Sequence, residues 1–112
     1  MKNEVKKKQL ESRILQALSY YLLSYRDTKV VKYINLIEVV VSPDLSVAKV
    51  FYALLNSEDQ RAEAKAFWED QKGVLRTKLA KSLNLRITPE LRFILDTRDE
   101  RASRLDELIN NS

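Results

Sequence analysis

The chain has 112 residues, 45% of them hydrophobic, and a formal net charge of +4, which suits one domain over residues 1–112 with a modest core. It holds no Cys and no His, so disulfides and thiolate metal sites are excluded and the commonest metal ligand and general base are missing. No apolar run approaches a membrane span and no signal-type leader opens the chain, so a soluble cytoplasmic protein with no membrane partner, no cofactor and no small-molecule substrate is expected.

In chain order, Leu10, Ile14, Ala17, Leu18, Tyr21, Leu22 and Tyr25 recur at spacings of three and four, which predicts a helix over 4–26 with one apolar face. Lys6, Lys7 and Lys8 load its first turns with positive charge. Asp27 and Thr28 end it, and the valine-rich stretch 30–41 favours strand. Ser42, Pro43 and Asp44 signal a turn, and 47–55 resumes as a second strand, so the two form an antiparallel hairpin. Ser57 with Gln60 reads as a capping box. In the helix it opens, Ala64, Phe67, Trp68 and Gln71 share a face. Phe67 and Trp68 are expected to anchor this helix to the hairpin, with nucleobase stacking by Trp68 as the weaker alternative.

Gly73, the one glycine, interrupts the helical run 62–83 at a cost of about 1 kcal/mol relative to Ala, so a kink or a close approach is expected there. Beyond it Leu75, Leu79 and Leu83 make a new apolar stripe, with Val74, Lys78 and Lys81 on the other side. A third strand starts at Pro89, with Leu91, Phe93 and Leu95 on one face and Arg92 and Ile94 on the other. A short helix over 99–110 closes the chain. The order α-β-β-α-α-β-α implies an α+β domain with helices on one face of a three-stranded sheet.

Charge is polarised along this order. Residues 72–92 hold six cations (Lys72, Arg76, Lys78, Lys81, Arg86 and Arg92) against Glu90 alone, and residues 1–29 hold seven against three. Such clustering suits a phosphate backbone, and a merely solvated lysine-rich surface is the alternative. Catalytic candidates are weak. Ser46 and Lys49 have the spacing of an acyl-transfer pair but start a strand and have no companion motif. The adjacent carboxylates Glu69 and Asp70, and Asp106 and Glu107, diverge on their helices and chelate poorly. Arg104 is expected to pair internally, with an acid such as Asp96, a contact to RNA being the alternative.

Three stretches resemble the bacterial ribosome-binding factor A family, whose domain has a type II KH fold. The hairpin residues 39–50 are similar to its Ser-x-Asp-Leu-x-x-Ala-Lys-Val pattern; Gly73-Val74-Leu75-Arg76 and residues 83–93 to its Gly-x-x-Arg and Leu-Arg-x-x-Pro-Glu-Leu-x-Phe; and Asp96 with residues 102–108 to its closing helix. Two stretches depart from the pattern. Gln71-Lys72-Gly73 stands where the family has Ala-x-Gly, and Asp27-Thr28-Lys29 where it often has Asp-Pro-Arg.

The resemblance implies a KH-like ribosome assembly factor that binds the 16S rRNA of the immature small subunit, assists its late maturation and then leaves. A non-catalytic RNA-binding monomer is expected. The alternative is a basic protein-interaction module or a generic KH-like RNA-binding adaptor. Lys72, Gly73, Val74, Arg76, Lys78, Lys81 and Arg86, with Lys6, Lys7 and Lys8, are the candidate RNA-binding residues. A helix starting at Gly73 would add free N–H groups and a positive dipole end. A single glycine cannot build a Gly-x-x-Gly clamp, which predicts recognition of RNA shape and backbone more than of sequence.

Overall fold

The computed structural model describes residues 2–25, 27–55 and 60–97. A first helix, α1 (Lys2–Leu22), tightens into a 3-10 turn over Leu23–Tyr25, and a second 3-10 segment spans Lys29–Tyr33. Strands β1 (Ile34–Val41) and β2 (Val47–Leu54), helix α2 (Arg61–Ser82) and strand β3 (Glu90–Leu95) follow. The sheet order is β1-β2-β3, with β1 antiparallel and β3 parallel to the central β2. Parallel pairing of β2 with β3 requires a long crossover, and α2 supplies it.

Alternation along the strands sends one face of the sheet to the core. Val41, Ala48 and Leu91 form one cross-strand row, Val39, Val50 and Phe93 the next, and Leu36, Tyr52 and Leu95 a third. A register shift between Leu36 and Glu38 allows this. Ile34 and Leu36 face the core at even positions, Val39 and Val41 at odd ones, and an extra residue reconciles the two parities. Both helices cover this face. From α1 come Ile14, Leu18 and Leu22, and from α2 come Ala64, Trp68, Leu75 and Leu79, all buried. Trp68 stacks on Phe93 at 3.9 Å between centroids, with Tyr52 edge-on at 5.5 Å, so it anchors α2 to the sheet as expected. At 4% exposure it is not a platform for a nucleobase. Phe67 instead meets Tyr25 edge-on at 5.2 Å.

Three expectations are corrected. The stretch at Val30 and Val31 is 3-10 helix, not strand, because both valines are buried in the core by that turn and tertiary packing outweighs their β preference. The run through Gly73 does not divide into two helices. The buried positions 64, 68, 75 and 79 keep a helical period straight through it, and their burial outweighs the glycine's cost of about 1 kcal/mol. Gln60 occupies the N-cap of α2 without a side-chain cap bond, and Ser57 lies outside the described residues, as does the closing helix expected over 99–110.

Candidate nucleic-acid interface

The candidate surface comprises the exposed side of α2 and the two loops that lead into β2 and β3. The loop before β2 is closed on itself. Ser42 N–H donates to Val47 O at 2.8 Å and Leu45 N–H to Ser42 O at 2.8 Å, with Leu45 at a φ of 63°. Asp44 Oδ1 accepts from the hydroxyls of Ser42 (2.8 Å) and Ser46 (2.7 Å) and from Ser46 N–H (3.1 Å). Those bonds, from the Ser46 hydroxyl first, lower the Asp44 carboxyl from its ordinary 3.8 to about 2. The Ser46 hydroxyl donates to Asp44, and Lys49 is exposed on β2.

The loop before β3 is held from outside. Leu83 caps the C-terminus of helix α2, its N–H donating to Leu79 O at 2.9 Å, and Asn84 turns the chain at a φ of 52°, a left-handed position that Asn tolerates. Arg13 of α1 donates to Leu83 O at 3.2 Å, and Arg76 of α2 donates to Thr88 O at 2.8 Å. Pro89 is buried, and Glu90 N–H donates to Ser46 O at 2.9 Å, so the two loops lie side by side.

Two recesses sharing Arg76 run along this corner. One is lined by Ser46, Lys72, Gly73, Arg76, Glu90 and Leu91; the other, of about 460 Å3, by Arg76, Thr77, Ala80, Lys81, Arg86, Ile87 and Thr88. The fold therefore brings together Lys72, Gly73, Arg76, Lys81 and Arg86 among the candidates. Lys72 pairs with Glu69 at 3.0 Å across one exposed helix turn, a contact of small energy that a phosphate can replace. Arg76 gives one N–H to a neutral carbonyl and keeps its charge and its other donors. Among the described residues, no ion pair engages Lys81 or Arg86.

Lys78 does not join them. It turns to the opposite flank of α2, where its ammonium lies 5.5 Å from the Tyr25 ring centroid and 5.8 Å from that of Tyr21. Tyr21 hydroxyl donates to Lys78 O at 3.2 Å and also meets the Ser82 hydroxyl, while Tyr25 hydroxyl donates to Gln71 Oε1 at 2.7 Å. Lys78 thus belongs to the α1–α2 seam. Val74 is 47% exposed but lines neither recess. Lys6, Lys7 and Lys8 stand on α1 one to two turns before Arg13 and so lie toward the end of the molecule that carries Leu83.

The role foreseen for Gly73 changes. In a helix that continues through it, nearby N–H groups point to carbonyls one turn earlier and offer no free dipole end. The positive charge of this surface therefore resides in side chains and not in a helix N-terminus. A Cβ built on Gly73 meets nothing within 4 Å and its φ is not positive, so neither backbone strain nor a close packing neighbour among the described residues requires glycine there. The composition did not single out Ile87, which is 75% exposed at the rim of the second recess. Its one signal is an apolar residue between Arg86 and Thr88, outside the alternation of the following strand.

Among the described residues, no helix is long and apolar enough to cross a membrane and no group of acids is arranged to hold a metal ion. The family model described as ribosome-binding factor A matches residues 6–109. A ribosome-binding factor A of Magnetococcus marinus is 46% identical over 85 residues, covering 76% of this chain and 68% of the relative. One of Fervidobacterium nodosum is 35% identical over 114 residues, covering 99% and 91%. Among solved structures, a Thermotoga maritima protein described as a ribosome-binding factor A superposes with a TM-score of 0.70 at 33% identity, over 80% of this chain and 85% of that one. The ribosome-binding factor A of Thermus thermophilus gives 0.66 at 24% identity, over 80% and 93%, a likeness of fold.

Proposed function

Because the chain belongs to the ribosome-binding factor A family, we propose that it binds the immature small ribosomal subunit through its 16S rRNA, assists late maturation without catalysing a reaction, and then leaves. It acts as a monomer in the cytoplasm. The observation that supports this reading best is the convergence of Lys72, Arg76, Lys81 and Arg86 on two adjoining recesses, the second without a carboxylate in its lining. Cations gathered on one fixed surface neutralise successive phosphates and release their counterions, which gives affinity with little demand on sequence.

Gly73 fits the same reading. Its bare backbone between Lys72 and Arg76 lets an RNA strand approach α2 more closely than any side chain would, and this supplies the reason for glycine that the fold does not. Lys6, Lys7 and Lys8 extend the positive field from α1, and Val74 offers an apolar contact beside the recesses. Lys78 contributes its charge to the field from the α1 seam and makes no direct contact.

The test is sedimentation of the purified protein with mature and immature small subunits across a salt series. Preferential retention by immature particles, weakening steeply with salt, is expected. Equal retention by both, or retention that ignores salt, would reject the reading.

A further inference from the structure

The second recess has a chemistry that charge alone does not account for. Its lining sets the cations Arg76, Lys81 and Arg86 together with Ile87, which at 75% exposure is the most exposed large hydrophobic residue among those described. A single exposed isoleucine is ordinary by itself. This one sits on a backbone fixed at both ends, by Arg13 at Leu83 O and by Arg76 at Thr88 O, with Asn84 setting the turn and Pro89 buried behind it. Of the neighbouring hydroxyls, Thr77 donates to Gly73 O at 3.0 Å within its own helix. The recess is thus a shallow, open notch of about 460 Å3 lined by three cations, no acid and one exposed apolar side chain. That size falls within the roughly 300–1,000 Å3 usual for ligand sites.

We propose that this notch receives one unstacked nucleotide of a single-stranded RNA segment, its phosphate beside Arg76, Lys81 and Arg86 and its base face against Ile87. The inference rests on the RNA-binding reading above and adds a preference for single strands. A duplex keeps its base faces stacked and offers the notch phosphates and ribose edges, whereas an unpaired nucleotide can present a base face as well. Because the loop is already fixed, little ordering is lost when the nucleotide enters. The alternative occupant, an acidic protein segment, would meet the same cations, and the experiment separates it by competition.

The experiment uses the full chain and two labelled probes, an unstructured U-rich 12-mer RNA and a 12-base-pair RNA duplex, titrated over a salt series. Ile87→Ser is expected to weaken single-strand binding about 3- to 10-fold, to leave duplex binding unchanged and to leave the slope of log K against log salt as it is. Ile87→Leu should restore affinity. Arg86→Gln should weaken both probes and reduce the salt slope by about 1. Unchanged thermal midpoints will show that the exposed substitutions leave the fold intact. If Ile87→Ser binds the single strand like wild type while Arg86→Gln lowers the slope, the notch proposal is overturned and the RNA reading stands. Wild type that binds neither probe in a salt-dependent way overturns both. Competition by polyglutamate as effective as by the 12-mer would assign the notch to an acidic protein surface and also overturn the proposal.

Discussion

The loops before β2 and β3 lie side by side and each turns on one non-glycine residue at positive φ, Leu45 and Asn84, yet they spend their polar groups in opposite ways. In the first, the side chains of Asp44, Ser42 and Ser46 satisfy one another, and the support from elsewhere is a backbone bond, Glu90 N–H to Ser46 O. In the second, the carbonyls of Leu83 and Thr88 are taken by arginines reaching from α1 and α2, and the loop's own side chains, Arg86 and Ile87, are left facing outward. A loop stabilised from within serves the fold. A loop stabilised from behind can devote its outer surface to a partner.

The largest expected effect breaks both loops at once. Leu91 is buried where β3 leaves the second loop and pairs with Ala48 just beyond the first, so Leu91→Asp strands an unpaired charge in the core. It should unfold the domain, seen as loss of the cooperative melt by circular dichroism. Neutralising Lys72, Arg76, Lys81 and Arg86 together to Gln should instead keep the fold, cut RNA affinity by orders of magnitude at moderate salt and lower the salt slope by about 3. Unchanged binding by a folded quadruple variant would erase the contrast between the loops.

Smaller changes sharpen it. Asn84→Val forces a β-branched residue into the left-handed region and should cost about 1–2 kcal/mol in a denaturant melt, whereas Asn84→Gly should be close to neutral. Gly73→Ala should raise stability by about 0.5–1 kcal/mol, since a Cβ meets nothing there, while weakening RNA binding by filling the approach to the helix backbone. A variant both more stable and equally tight would show the glycine to be incidental. The least effect is expected from acid. The Asp44 carboxyl is lowered in the folded state, so its contribution to the first turn is complete above its ordinary value of 3.8 and is lost only as pH falls through about 2. NMR titration of the carboxyl should show that midpoint.

Much of this architecture was readable from spacing. The periodic apolar residues of α1, the β-branched hairpin around Ser42, Pro43 and Asp44, and the alternation in β3 all formed where expected, because in each the local preference and the burial agree. Where they disagree, burial decides. Val30 and Val31 look like strand but are buried by a 3-10 turn, and Gly73 looks like a break but lies on the solvent side of a helix whose buried face is continuous. The basic cluster was legible as composition, since Lys72, Arg76, Lys81 and Arg86 do converge. Its membership was not. Lys78 is drawn away by Tyr21 and Tyr25, residues far off in the chain whose arrival depends on how α1 packs on α2. Ile87 was hidden for the converse reason, because its exposure follows from two arginines that hold the loop, one of them from α1.

The most direct measurement is an amide chemical-shift titration of the isotope-labelled chain with the unstructured RNA 12-mer. The account predicts that perturbations centre on Lys72, Gly73, Arg76, Lys81, Arg86, Ile87 and Thr88, while Asp44, Leu45 and the seam of Tyr21, Tyr25 and Lys78 stay largely still. Perturbations centred on that seam or on the first loop, with the Arg86 and Ile87 amides unmoved, would contradict it.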